Sequence, residues 1–153
     1  MIGSTTDRIE RQVEIAAPVE RVWRALTDYR EFGSWFLVRL ERPFVLGETA
    51  VGQIAYPGYE HLRFEALVVA MDRPRSFAFR WHPYAVDPDV DYSNEPTTLV
   101  EFTLTATATG TLLKVCESGF DAIPAERRDL AFRMNDGGWR QQMENVKAWI
   151  SRG

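Results

Sequence analysis

A single cysteine among 153 residues excludes an internal disulfide and is what a reducing compartment permits. That residue, Cys116, lies between Val115 and Glu117 in an apparent strand, with no evident cation beside it to lower its pKa, so it reads as structural rather than nucleophilic. Histidine is almost as scarce. His61 and His82 stand at turn or strand-end positions with no third ligand at useful spacing; a zinc site draws on about four, and no metal is expected. No apolar run is long enough to span a bilayer, and the opening "MIGSTTDRIER" has no apolar stretch behind its charges. Neither a signal peptide nor an anchor is expected, and the default location is cytoplasmic.

A strong charge imbalance is missing too. Eighteen basic against 22 acidic residues leave a net charge of −4, with no Lys/Arg cluster, so the electrostatic footprint of a nucleic-acid binder is absent. No phosphate-cradling glycine loop, nucleophile elbow, dinucleotide fingerprint or serine triad is found. No catalytic residue and no cofactor are therefore assigned. In "DPDVDYSNEPTT", Asp87, Asp89 and Asp91 imitate the start of a calcium loop, but Tyr92 stands where glycine is required and Thr98 where a bidentate glutamate belongs. A solvated hairpin loop is the better reading.

What is present is an ordinary globular composition, 45% hydrophobic and 26% charged, of a length that suits one domain over residues 1–153. "RIERQVEIA" alternates, with Ile9, Arg11, Val13 and Ile15 on one face, which predicts a half-buried strand. In "APVERVWRALTDYREF", Pro18 suits a first helical position, and Val19, Val22, Trp23 and Leu26 share a helix face. A second short helix is predicted from Glu31 to Phe36 after a break at Asp28. From Leu37 the period becomes two, and strands are expected near Val38–Arg42, Val51–Tyr56, Leu62–Met71, Ser76–His82, Thr98–Thr107 and Leu112–Ser118. A final helix, with Asp121 as its expected cap, runs from about Pro124 to Ile150 and puts Trp139, Met143, Val146 and Ile150 on one stripe.

Strand, helix pair, six strands and a long helix make an α+β arrangement whose sheet must bury its apolar face, with the last helix as the cover. The segments "EIAAPVERVWRALTD" (14–28), "SWF" (34–36), "DRPRSFAFRW" (72–81), "GTLLKVCESGF" (110–120) and "GGW" with its following helix (137–150) together resemble the SRPBCC or START-like superfamily. More narrowly they resemble the branch related to the C-terminal domain of the heat-shock-protein-90 ATPase activator. The resemblance implies a helix-grip fold: a seven-stranded curved antiparallel sheet wrapped around a long C-terminal helix, with two short helices after the first strand. The loop 82–96 is longer and more acidic than that group suggests.

Within such a fold the run Asn135-Asp136-Gly137-Gly138-Trp139 poses a question, since each glycine inside a helix costs about 1 kcal/mol relative to alanine. Two explanations stand side by side. Gly137 and Gly138 open space between helix and sheet, floored by Trp139, or they mark a kink or break. Alternation turns Phe77, Phe79 and Trp81 inward, then Val100, Phe102 and Leu104, then Leu113, Val115 and Glu117. Glu117 is thus a carboxylate on an apolar face, whose pKa rises if it is desolvated; pairing with Arg11, or reaching solvent, are its alternatives.

The leading expectation is a module that binds a small hydrophobic or aromatic molecule in an apolar cavity between sheet and final helix. Trp35, Phe36, Phe79, Trp81, Met134, Gly138 and Trp139 would form or border the walls, with Glu117 and Arg11 as polar anchors. The resemblance also implies two alternatives: an enzyme like the polyketide cyclases and aromatases, with Glu117 as its acid or base, and an accessory protein with a chaperone partner.

Overall fold

The computed structural model describes residues 6–152. Strand β1 (Arg8–Ile15) is followed by helices α1 (Val19–Thr27) and α2 (Tyr29–Phe36). Six strands come next: β2 (Val38–Leu40), β3 (Thr49–Ile54), β4 (Arg63–Asp72), β5 (Ser76–Trp81), β6 (Thr98–Ala106) and β7 (Thr111–Ser118). A 3₁₀ turn (Phe120–Ala122) then leads into the long helix α3 (Ala125–Ser151). All seven strands form one antiparallel sheet in the order β1-β7-β6-β5-β4-β3-β2. The last six make a plain meander, and β1 closes the sheet by pairing with the last of them.

The helix pair is set by one aspartate. Asp28 ends α1 in extended conformation, and its Oδ1 accepts from the Arg30 and Glu31 amides at 2.9 and 3.2 Å to start α2, meeting donors that a helix start leaves unpaired. Trp35 locks the two helices together by donating its indole N–H to the Ala25 carbonyl at 2.8 Å. Gly33 is required here for space, because a Cβ at that position would collide with the Val38 carbonyl.

Alternation places the core as expected. Val68, Phe77, Phe79, Val100, Phe102, Leu113 and Val115 are fully buried, each side chain worth about 1.5–3 kcal/mol for its removal from water. On α3 the stripe Trp139, Met143, Val146 and Ile150 is buried, joined by Ala131. The helix lies chiefly along β1 and against α2. Its far end is tied down by Trp149, which donates to Glu31 Oε1 at 2.9 Å while Arg21 and Arg24 flank the same carboxylate.

Three sequence expectations are corrected. Asp121 does not cap α3: the 3₁₀ turn and Ile123 intervene, Pro124 occupies the cap with no side-chain bond, and Asp121 accepts from the Thr6 hydroxyl instead. Pro18 is the cap of α1 rather than its first residue. The glycine pair makes neither a break nor an interior gap, since α3 runs unbroken for 27 residues and both glycines face outward, with no atom within 4 Å of an added Cβ. No helix among the described residues is long and apolar enough to cross a membrane.

Candidate functional site

Among the described residues one charged side chain is fully buried. Glu117, the next-to-last residue of β7, is fully buried, together with Thr98 at the start of β6. Strand register brings them together: Val100 pairs with Glu117, and Trp81 at the end of β5 pairs with Thr98. Among the described residues no cation lies beside the carboxylate, which is held by donors. Oε1 accepts from Trp139 Nε1 at 2.8 Å and Asn135 Nδ2 at 3.0 Å. Oε2 accepts from Trp81 Nε1 at 2.7 Å and the Thr98 hydroxyl at 2.5 Å, with Asn135 Nδ2 also at 3.3 Å.

Burial pushes the Glu117 pKa up, and the hydrogen bonds from Thr98, Trp81, Trp139 and Asn135 pull it part of the way back. The two effects belong to one site. An apolar enclosure penalises the anion, and the ring of donors replaces the water it has lost. Four neighbouring donors match the four lone-pair directions of a carboxylate, so in this arrangement the group is saturated.

Around it stand the rings. Phe36, at the end of α2, lies 6.1 Å from both Trp81 and Trp139, and those two lie 5.9 Å apart. Phe79 and Phe102 back the triangle at 5.3 Å from Trp81 and 5.7 Å from Trp139. The inner side is closed, Phe79, Phe102, Trp139 and Glu117 being buried. The cluster is not fully closed, for Phe36, Trp81 and Asn135 are only half-buried. Two surface depressions occur elsewhere, one between α1 and Arg73 and one between α2 and β2; neither is lined by Glu117.

The structure brings Phe36, Trp81, Glu117 and Trp139 into one cluster with Phe79 behind them. Trp35 adjoins the cluster through Phe36 alone, its ring meeting Phe32 and Phe36 and its N–H committed to Ala25. Arg11 does face the helix side of the sheet, but its partner is Asp136, in a two-pronged pair with both bonds at 2.9 Å. The alternative of an Arg11–Glu117 pair is thus corrected: β1 is the edge strand over which α3 lies, so the guanidinium meets the helix before it reaches β7. Met134 is 41% exposed and Gly138 faces outward, so both lie on the exposed face of α3 rather than toward the interior.

Two members of the cage were missed in the sequence. Thr98 shares the parity of Val100, Phe102 and Leu104 and was readable from alternation. Asn135 precedes Trp139 by one helical turn, and that i, i+4 relation was the available signal. Beyond Trp81 the chain forms the long loop 82–97, clasped to α3 by Arg127. The Arg127 guanidinium bonds Glu95 Oε1 at 2.8 Å and the Pro83 carbonyl at 2.7 Å, and it lies 4.8 Å from the Tyr92 ring. In the same loop Tyr84 adopts a left-handed backbone (φ 47°) and packs on the core. Burial, with the neighbouring Tyr59, pushes its phenol pKa up. The loop aspartates serve its own turns, Asp87 accepting from the Asp89 amide and Asp91 from the Ser93 amide. Among the described residues no group of three or more potential ligands could hold a metal ion.

Comparison with known proteins places the fold. The family model for "Activator of Hsp90 ATPase homolog 1-like protein" matches residues 16–151. No curated protein sequence matches significantly. Among solved structures, protein MLL2253 from Mesorhizobium loti is 26% identical, with 95% of this chain and 97% of that one covered at a TM-score of 0.74. An Arthrobacter aurescens protein solved by NMR is 16% identical, with 100% and 92% covered at a TM-score of 0.75. DynU16, a protein in the dynemicin biosynthetic locus, is 23% identical at a TM-score of 0.73; 95% of this chain is covered, but it spans only 47% of DynU16.

Proposed function

The chain belongs to the Activator of Hsp90 ATPase homolog 1-like family, and from that premise we propose that it is a binding domain for a small, largely aromatic molecule. The guest sits at the half-buried side of the Phe36, Trp81 and Trp139 triangle. It finds room by lying on, or turning aside, the half-buried rings of Trp81 and Phe36. The observation that carries this reading is the buried Glu117 itself. A fully desolvated carboxylate with four donors is expensive to build; its structural product is two indole rings and one amide fixed side by side next to a surface that is not closed. Aromatic walls with a few placed polar groups are the usual lining of ligand sites.

An acid–base enzyme of the cyclase kind is less well supported. A general acid or base must reach the substrate proton directly or through one water, and the lone pairs of Glu117 are occupied by Trp81, Trp139, Asn135 and Thr98.

Titrating the protein with naphthols, flavonoids and a fatty acid while following tryptophan emission tests the proposal. Aromatic compounds are expected to give a saturable change, because the probe indoles are the binding surface. A flat response to every compound up to about 1 mM, equivalent to a binding free energy weaker than about −4 kcal/mol, would remove the proposal.

A further inference from the structure

Resting on that binding reading, we infer that the site selects ligands bearing a hydrogen-bond donor, a phenolic hydroxyl or an aromatic N–H, and that the group receiving it is the Asn135 Oδ1 carbonyl.

The inference follows from how the donors around Glu117 are used up. An indole has one N–H and no acceptor, and both Trp81 and Trp139 spend theirs on the carboxylate. Thr98 is fully buried behind them, with its hydroxyl directed to Oε2. Asn135 turns its amino group to the same carboxylate. A planar amide with its nitrogen facing inward carries its oxygen on the other side, so the buried acceptor sets the sign of the polar group shown at the surface. Asn135 is half-buried, and its Oδ1 accepts from no described residue, yet is not among the buried atoms left unpaired. It is open to solvent.

The outward glycine now has a role. Helix side chains lean back over the preceding turn, so a side chain at position 138 would lie over residues 134 and 135. Gly138 has none, and the place where its Cβ would stand is empty to 4 Å. Asn135 and Trp81 are neighbours because they share one carboxylate, and Met134, 41% exposed, adds a flexible apolar flank of the kind used at adaptable binding surfaces. A flat ring on Trp81 with its donor on Asn135 Oδ1 satisfies both surfaces. Ethers, ketones and other acceptor-only aromatics find no partner there.

The experiment compares β-naphthol with its methyl ether, which keeps the ring and removes the donor, on the unmodified protein and on Asn135→Leu. The naphthol is expected to bind about fivefold to tenfold more tightly than the ether, the usual worth of one hydrogen bond, and Asn135→Leu is expected to bring the two together. Equal binding of both compounds to the unmodified protein overturns this inference while leaving the binding function standing. A preference that survives in Asn135→Leu overturns the assignment to Asn135. Failure of both compounds to bind overturns the inference and the function together.

Discussion

Trp81 and Trp139 reach the two oxygens of one carboxylate from opposite layers of the fold, one from the last residue of β5 and one from the middle of α3, with their rings 5.9 Å apart and inclined by 31°. Sheet and helix are therefore joined here through polar bonds inside an aromatic core, and Glu117 is the joint.

Removing the acceptor leaves the Trp139 and Thr98 donors buried and unpaired. Glu117→Ala is expected to lower unfolding free energy by about 3 kcal/mol or more, as for other broken buried polar networks. Glu117→Gln, which keeps the volume but introduces an N–H among donors, is expected to lose about 1–3 kcal/mol. Urea titration read by tryptophan emission measures both; a loss below about 0.5 kcal/mol, typical of surface changes, would show that the cage is not a structural element.

The pH dependence has a defined sign. The folded pKa of Glu117 lies above its ordinary value of 4.5 because of burial, so between those two values the unfolded chain binds fewer protons than the folded one. Its contribution to stability is complete below about 4.5 and is lost as pH rises through the folded pKa. Glu10, lowered by bonds from Lys114 and Arg8, and Glu31, where burial is outweighed by bonds from Trp149 and Arg21, act in the opposite sense. Those terms cancel when unmodified protein is compared with Glu117→Gln at each pH. The stability advantage of the unmodified protein is expected to shrink as pH rises above about 4.5 and then level off; an advantage that grows with pH would mean that the site favours the anion.

Arg11 and Asp136 form a pair whose side chains are 37% and 36% exposed. Such pairs are screened and contribute about 1 kcal/mol or less. Arg11→Ala is accordingly expected to cost no more than that and to leave the Glu117 titration unmoved, which denaturant melts on the single and double variants will show.

Gly137 and Gly138 are outward positions in an unbroken helix with open space around them. Each change to alanine is expected to raise stability by about 0.5–1 kcal/mol. Gly138→Leu is expected to fold normally yet lose aromatic ligand binding, because its side chain covers Asn135. Full binding by Gly138→Leu would place the ligand elsewhere.

Much of this was legible beforehand. Period-two alternation located all seven strands and turned Glu117, Trp81 and Phe79 inward, and the spacing Trp139, Met143, Val146, Ile150 fixed the buried stripe of α3. What alternation cannot supply is the neighbour. Arg11 and Glu117 share a face, yet the overlying helix gives Arg11 to Asp136. Asn135 escaped because a half-buried polar residue on a helix looks like any other surface residue until the carboxylate opposite is placed. The side of the helix that the glycines take depends on how α3 is rotated, and in its first half only Ala131 is buried to declare that rotation.

Arg127 holds the 82–97 loop through Glu95, Pro83 and the Tyr92 ring. Arg127→Ala is expected to speed proteolytic cutting within 87–93 and amide exchange in that loop while leaving the exchange of β5–β7 unchanged. Equal protection of the loop in both proteins would show that the Tyr84 packing and the His82–Glu95 contact suffice to hold it.

The pairing of β1 with β7 has a consequence for biosynthesis. Arg8–Ile15 meets Thr111–Ser118, so this contact must close a chain segment of roughly 100 residues, the kind of long-range pairing that slows folding. On the ribosome the amphipathic strand β1 emerges before the other six and waits without a partner until the last of them has followed it. During that wait its row of unpaired amides and its apolar side are available to a holding chaperone or to another nascent chain.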